Sequence, residues 1–369
     1  MGEAQQGLET EEVVQVGNLY VHFPFCRRKC TYCALHSRAG TSEASRAAYV
    51  GRLAALLSSR QSTAPFFTLP NKLKTVYFGG GSPALCDLAP LFKVLGPHLS
   101  DETEFTVELH PLDATTDTLK RLKDGGVNRI SMGVQSLDDA ILSKMGRGYT
   151  FHDAERAFYR IREHFENAGI DLIVGYPGEE CALSPRHARL AKWGLAHCSV
   201  YSLILEGKSI LANQVRRKVS PPPPDDDTTL NRLSIVAAFL REIGLNRYEI
   251  ANYAAPQREC RHNFAVWRGE DYVGLGEGAH GRIGRLRFQD FGMDSMKQEE
   301  VSPDADMKER TLFRLRTREG LDASAHPEWL PTLESSVKEG LLTRIGTGSC
   351  YKLTERGTEV CDAILTELI

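Results

Sequence analysis

Residues 19–33 read LYVHFPFCRRKCTYC. The run LYVHF is short, apolar and aromatic, and Pro24 closes it, so it predicts a strand over 19–23. What leaves that strand is a Cys-x3-Cys-x2-Cys loop carrying Cys26, Cys30 and Cys33. Cluster iron is held by Cys thiolates, and three thiolates in one tight wrap supply three ligands to one iron–sulfur cube. The fourth iron then keeps an open position, as a catalytic metal does. The rival is zinc, with His22 or His36 completing a tetrahedron. Zinc pairing ordinarily answers one Cys pair with a distant second pair, and no second pair exists, since Cys181 and Cys198 stand too far apart. The spacing favours a [4Fe–4S] cluster with one open iron.

Outward from this loop, strand-like runs recur at TVYF (75–78), FTVEL (105–109), RISMGV (129–134), IDLIVG (170–175) and SVYSLIL (199–205). Amphipathic stretches lie between them, at 43–59, 86–98, 115–124, 151–167 and 184–194. This alternation argues for an α/β fold, a parallel sheet with covering helices. Six units without an obvious seventh predict an incomplete (β/α)6 barrel over residues 18–300. The run PPPPDDD (221–227) breaks the pattern as a surface loop, with Asp227 or Thr228 capping a helix over 228–243. Beyond residue 300, helical periodicity at 306–318 and 327–339, a hairpin LLTRIGTGSCYKL and a final helix 354–368 predict a small winged-helix-like module over 301–369. Its wing lacks the clustered Arg and Lys that nucleic-acid binding needs, so it reads as a packing module.

Composition narrows the class. The chain of 369 residues is 41% hydrophobic and 25% charged, which is ordinary for a soluble globular protein with ample core. Its net charge of −3 gives no electrostatic pull toward nucleic acid or an anionic membrane. The first 17 residues are polar and acidic and read as a flexible tail rather than a signal peptide, and no run approaches a membrane span. Nine cysteines, an odd number, argue against a disulfide framework and fit a reducing cytoplasm.

The cysteine spacing, with aromatic Tyr32 before the third Cys, resembles the radical S-adenosylmethionine (SAM) superfamily. The resemblance implies cofactor contacts at Tyr20, six residues before the first Cys, and at Gly80 and Gly81 in the turn Gly79-Gly80-Gly81-Ser82-Pro83. Glycines there let backbone approach a ligand closely, and no Gly-Lys-Ser/Thr follows to make a phosphate loop. Glu108 in VELHP and Gln135 in SMGVQS end their strands, where barrel sites cluster. With Arg147 in KMGRGY and Asp171 in IDLIVGYPGE, they are expected to meet the ribose, carboxylate and adenine of SAM. A reduced cluster would pass an electron to the sulfonium, and the 5′-deoxyadenosyl radical so released would abstract hydrogen from a substrate. An electron donor such as a flavodoxin or ferredoxin is implied.

Within that superfamily the chain is similar to the oxygen-independent coproporphyrinogen III oxidase family. The likeness is carried by HFPFC, YFGGGSP, RISMGVQS, DLIVGYPGE, DYVGLGEGAHG and EGLLTRIGTGSCYKLTERG. The true dehydrogenases have a longer N-terminus and a fourth cysteine two residues after the third, where this chain has Leu35. The HemW-type haem chaperone branch lacks that cysteine and carries a His-Asn-x-x-Tyr-Trp motif after a loop cysteine. Here CRHNFAVW supplies Cys260, His262, Asn263 and Trp267, with Val266 in place of the tyrosine. The resemblance implies a haem-binding chaperone that passes haem to an acceptor protein. His262 would be the iron ligand, Trp267 would lie on the porphyrin face, and Arg258, Arg261, Arg268 and Arg282 would meet the propionates. His280 is a second candidate ligand. The alternatives are a coproporphyrinogen III dehydrogenase and another radical enzyme acting on tetrapyrroles.

Overall fold

The computed structural model describes residues 14–58, 67–179, 184–290 and 296–369. Strands β1 (Asn18–Phe23), β2 (Thr75–Gly80), β3 (Glu104–Leu109), β4 (Arg129–Gln135), β5 (Asn167–Val174) and β6 (His197–Ser202) pair side by side in that order, all parallel. These are the six runs expected from the sequence. Parallel neighbours need a crossover rather than a tight turn, and helices supply it: α1 (Glu43–Ser58), α2 (Ala89–Leu95), α3 (Thr116–Asp124), α4 (Asp139–Met145), α5 (Phe151–His164) and α6 (Pro185–Leu190). After β6 come α7 (Ile210–Arg216), α8 (Asp226–Glu242) and α9 (Arg261–Trp267).

Three short strands extend the sheet. β7 (Asn246–Arg247) and β8 (Asn252–Ala254) continue it antiparallel beyond β6, and β9 (Val273–Leu275) pairs parallel with the far side of β1. The order is β7-β8-β6-β5-β4-β3-β2-β1-β9. The sheet curls without closing, which is the incomplete barrel. The seventh parallel strand, β9, is invisible to a periodicity reading because its three residues run straight into the glycine turn 276–278.

Alternation within the strands divides the protein into an apolar outside and a polar inside. Leu19, Val21, Phe23, Val76, Phe78 and Ile130 are fully buried in one large core with helical residues such as Tyr49, Leu53, Leu91 and Phe158. The intervening positions are Tyr20 and His22, Thr75 and Tyr77, Glu104 and Glu108, Arg129 and Ser131, Asp171, and His197 and Ser199. Period two places them together on the opposite face, and that face lines the lumen. Buried polar groups must be hydrogen-bonded or occupied by a ligand, so this lining marks where the chemistry lies.

Several boundaries differ from expectation. Asp225, not Asp227 or Thr228, caps α8, accepting from Thr228 N at 2.8 Å. Asp226 and Asp227 fall in its first turn, where the helix dipole favours acids. α5 stops at His164, because Asn167 already pairs with Arg129 in the sheet. Of the tail expected over 1–17, residues 1–13 lie outside the described residues, while Val14–Gln15 pair with Phe67–Thr68 and Val16 is buried.

Beyond β9, strands β10 (His280–Ile283), β11 (Leu286–Asp290) and β12 (Met296–Glu300) form an antiparallel sheet. Next come α10 (Pro303–Leu315), β13 (Leu321–Asp322), α11 (Leu330–Lys338), β14 (Leu342–Ile345), β15 (Cys350–Leu353), α12 (Glu355–Glu359) and α13 (Cys361–Leu368). The single last helix expected over 354–368 is thus two, parted at Val360. Leu312, Leu315, Trp329, Leu333, Tyr351 and Ile364 build a core separate from that of the barrel. Arg282 and Arg287 on the preceding sheet pair with Asp306 and Glu309 of α10.

Candidate functional site

Glu108 organises the lumen. Tyr77 Oη donates to its Oε1 and the Gly80 N–H to its Oε2, both at 2.9 Å. Burial, and then the neighbouring charge of Asp171, push the Glu108 carboxyl up to about 7. Asp171 accepts from Ser131 Oγ at 3.0 Å, and burial raises its carboxyl as well. On β1, His22 has one ring nitrogen 3.0 Å from the His36 carbonyl, which can only accept, so Nε2 carries the proton. Its Nδ1 then accepts from Tyr20 Oη at 3.0 Å. Burial lowers the His22 pKa and keeps this tautomer neutral.

The glycine turn fits around these groups with no room to spare. A Cβ on Gly79 would stand 2.9 Å from Glu108 Oε1, and one on Gly81 2.4 Å from the Phe25 carbonyl. Gly80 has φ +103°, and a Cβ there would meet the His22 ring at 2.5 Å. The close approach expected of a ligand is made first by the protein itself.

The cysteine loop is pinned to the strand ends. Phe25–Cys26 pairs with Arg38–Ala39. Arg27 Nε donates to buried Asp113 at 2.7 Å, and Lys29 Nζ to Leu35 O and Ser37 Oγ at 2.8 and 2.7 Å. Thr31 N donates to Met145 O at 3.1 Å, and Tyr32 packs against the small core cluster formed by Ile141, Met145, Tyr176 and Leu211. Cys26, Cys30 and Cys33 are half-buried free thiols. A cube takes one thiolate per iron, which separate thiols around one wrapped loop provide. The donor set therefore fits the cluster.

Arg147 reaches this loop. Its Nη1 lies 3.3 Å from Cys30 Sγ, while Nη2 donates to Gly133 O at 2.7 Å and Nε to Tyr149 Oη at 3.0 Å. Gln135 ends β4 at φ +70° beside a register shift that follows Gly133, a bulge that re-aims the strand end. It borders a cavity of about 170 Å³ with Asp138, Glu179 and His187. Cys26, Cys30, Cys33, Tyr32 and Arg147 thus gather at one end of the lumen, with Tyr20, Glu108 and Asp171 within it. The sequence reading passed over Tyr77, Ser131 and Tyr149, which hold Glu108, Asp171 and Arg147. Tyr77 and Ser131 were findable as polar residues on the inward register of their strands.

The expected haem pocket does not assemble as the motif implied. Glu104, first residue of β3, caps α9 from across the barrel, accepting from Arg261 N and His262 N at 3.0 and 3.1 Å. His262 is consequently 4% exposed, its Nδ1 2.8 Å from Thr75 Oγ1 and its ring 5.3 Å from Tyr77. Burial, reinforced by the Arg129 charge, pushes its pKa down to about 3. Trp267 instead meets Phe313 of α10 edge-on at 5.8 Å, with Arg316 stacked over it. Five helical positions turn by roughly 140°, so the two rings cannot grip one flat ligand. The four arginines are also engaged: Arg258 with Glu166, Arg261 with Glu102 O, Arg268 with Glu319, and Arg282 with Asp306 and Glu309. His280 is exposed and Cys260 is fully buried.

A parallel, unclosed barrel with a three-cysteine loop after its first strand defines the radical SAM class, and the Radical SAM superfamily profile matches residues 20–180. Among solved structures, coproporphyrinogen III oxidase (HemN) from Escherichia coli, a radical SAM enzyme, superposes with a TM-score of 0.79. The match covers 96% of this chain and 90% of that one at 21% identity, a likeness of fold. Heme chaperone HemW of Bacillus subtilis (strain 168) is 31% identical over 95% of this chain and 99% of its own length. Radical S-adenosyl methionine domain-containing protein 1, mitochondrial, of Bos taurus is 31% identical over 89% of this chain and 73% of its own. The chain belongs to the HemW family of radical SAM proteins.

Proposed function

We propose that the protein is a haem chaperone that carries a [4Fe–4S] cluster on Cys26, Cys30 and Cys33, binds SAM in the barrel, and hands haem to an acceptor protein. The observation that carries the reading is 31% identity to a heme chaperone HemW along 99% of its length, with Leu35 at the position of the dehydrogenase's fourth cysteine. Bound there, the cluster supplies the one-electron reduction of SAM. The protein's own part is to position: Glu108 and Asp171 offer paired carboxylate oxygens for hydroxyl or ammonium donors. Tyr20, Gly80, Gly81, Gln135 and Arg147 complete the cofactor's surroundings, and Tyr32 packs behind the cysteine loop. A flavodoxin- or ferredoxin-like donor goes with this reading, as does a cytoplasmic setting, with which the eight free cysteines among the described residues are consistent.

Haem ligation by His262 requires α9 to move, because its ring is enclosed, whereas the exposed imidazole of His280 is accessible as it stands. Titrating haem into the parent, His262→Ala and His280→Ala and following the Soret band tests both. A parent that binds haem, and loses the band in one of these variants, supports the chaperone. A parent that binds none, and that converts coproporphyrinogen III to protoporphyrinogen IX anaerobically, is a dehydrogenase instead.

A further inference from the structure

We propose that Arg147, held in place by Tyr149, raises the reduction potential of the cluster through Cys30; this rests on the cluster assignment above. Each guanidinium nitrogen of Arg147 has one partner: Tyr149 Oη for Nε, Gly133 O for Nη2 and Cys30 Sγ for Nη1. Arg147 as a residue is 8% exposed, and none of these partners is a carboxylate. Asp113 and Asp171 act on this buried cation only through their charge, without a hydrogen bond, so the iron-ligand atom in direct contact with it is Cys30 Sγ. Tyr149 is itself fixed. Its hydroxyl accepts from Arg147 and lies 2.9 and 2.8 Å from the Gly133 and Val134 carbonyls, so it locks the guanidinium to the bulge of β4. Arg147 also lies over the Tyr149 ring at 5.3 Å.

Hydrogen bonds to cluster sulfur and nearby charge set such potentials. Reduction adds one negative charge, taken as a single electron from a low-potential donor, with no bond made or broken. A fixed positive charge on a ligand sulfur therefore favours the reduced form. Arg27 and Arg28 are cationic too, but they are exposed on the loop, where water and salt screen them. Arg147 acts from the buried side, where the effective dielectric is lower.

The test is a redox titration, followed by EPR, of the full chain reconstituted anaerobically without SAM, so that cofactor positioning cannot contribute. Arg147→Gln is expected to lower the equilibrium constant for one-electron reduction at least tenfold, equivalent to about 59 mV. Arg147→Lys, which keeps the charge and loses the fork, falls between it and the parent. Tyr149→Phe shifts the same way by less, at parental iron and sulfide content. An unchanged potential in Arg147→Gln overturns the proposal. If that variant does not load, an unchanged potential in loaded Tyr149→Phe does so. A parent that assembles no cluster refutes the cofactor reading itself, a different failure.

Discussion

Glu108 accepts two hydrogen bonds in a pocket it shares with Asp171, and that proximity sets its titration. The carboxyl ordinarily ionises near 4.5 and here near 7. Between these values the folded state holds a proton that the unfolded chain has lost. Stability is therefore fully present below pH 4.5 and is lost as pH rises through 7. The gap corresponds to roughly 3 kcal/mol. Glu108→Gln is expected to flatten this dependence, so that urea unfolding at pH 5 and pH 8 shows the variant gaining on the parent at the higher pH. An equal pH dependence in both proteins would count against the burial argument. The function of the residue pulls the other way: Glu108→Ala and Asp171→Ala should weaken SAM binding about 10- to 100-fold, the worth of a hydrogen bond to a charged or polar ligand group. Cluster absorption should stay at parental level, and undiminished affinity in both variants would remove these carboxylates from the SAM site. Each of these residues was legible in the sequence as a polar side chain on the inward register of an apolar strand. Tyr149 was not, because it follows Arg147 in a turn, where no periodicity says which way a side chain points.

Among the elements, α9 shows what a motif hides. CRHNFAVW reads as one patch, yet its helix sends His262 under the lumen and Trp267 toward Phe313. Linear proximity became angular separation. The six long strands and the longer covering helices, α1 and α5 above all, were legible because each repeats its period several times over, whereas the two turns of α4 gave no such signal. β9, with three residues, does not, and the cap of α8 moved because three successive aspartates compete for it. The cap of α9 is tertiary, since Glu104 comes from β3, and no local signal could reveal it. Glu104→Ala leaves the Arg261 and His262 amides without their acceptor and is expected to cost about 1–3 kcal/mol in unfolding free energy. Trp267→Ala should also destabilise the protein, through lost packing on Phe313, yet leave the intensity of any Soret band unchanged. A band lost with Trp267 but kept in equally destabilised Phe313→Ala would restore the indole to the haem pocket.

Across the whole molecule, the barrel and the C-terminal segment are joined by charge as much as by packing. Arg282 on β10 is 4% exposed on its side chain and lies 3.3 Å from Asp306 and 3.0 Å from Glu309. Removing both acids strands a buried cation, which costs about 3–5 kcal/mol. The double variant Asp306→Ala/Glu309→Ala should therefore unfold at markedly lower denaturant. Replacing Lys308, which pairs with Asp304 at the surface, should change the midpoint little. A double variant as stable as the parent would show that Arg282 finds water instead. Neither the partners nor the depth of Arg282 could be read from the sequence, because its acids lie beyond a sheet whose pairing had to be seen.

Residue 277 meets residue 38 across a sequence separation of 239, with Arg38 Nη2 2.5 Å from one Glu277 oxygen and His36 3.3 Å from the other. Seen as a sequence of events in time, the thiol loop leaves the ribosome long before the carboxylate that fastens its exit. At 5–20 residues per second the interval is on the order of 10–50 s. During it the loop of Cys26, Cys30 and Cys33 lacks the Glu277 contacts that hold His36 and Arg38 in the folded chain. Stalled nascent chains ending before residue 277 should therefore label faster with a thiol reagent at these cysteines than released protein does. Equal rates would mean that the loop closes without its late partner.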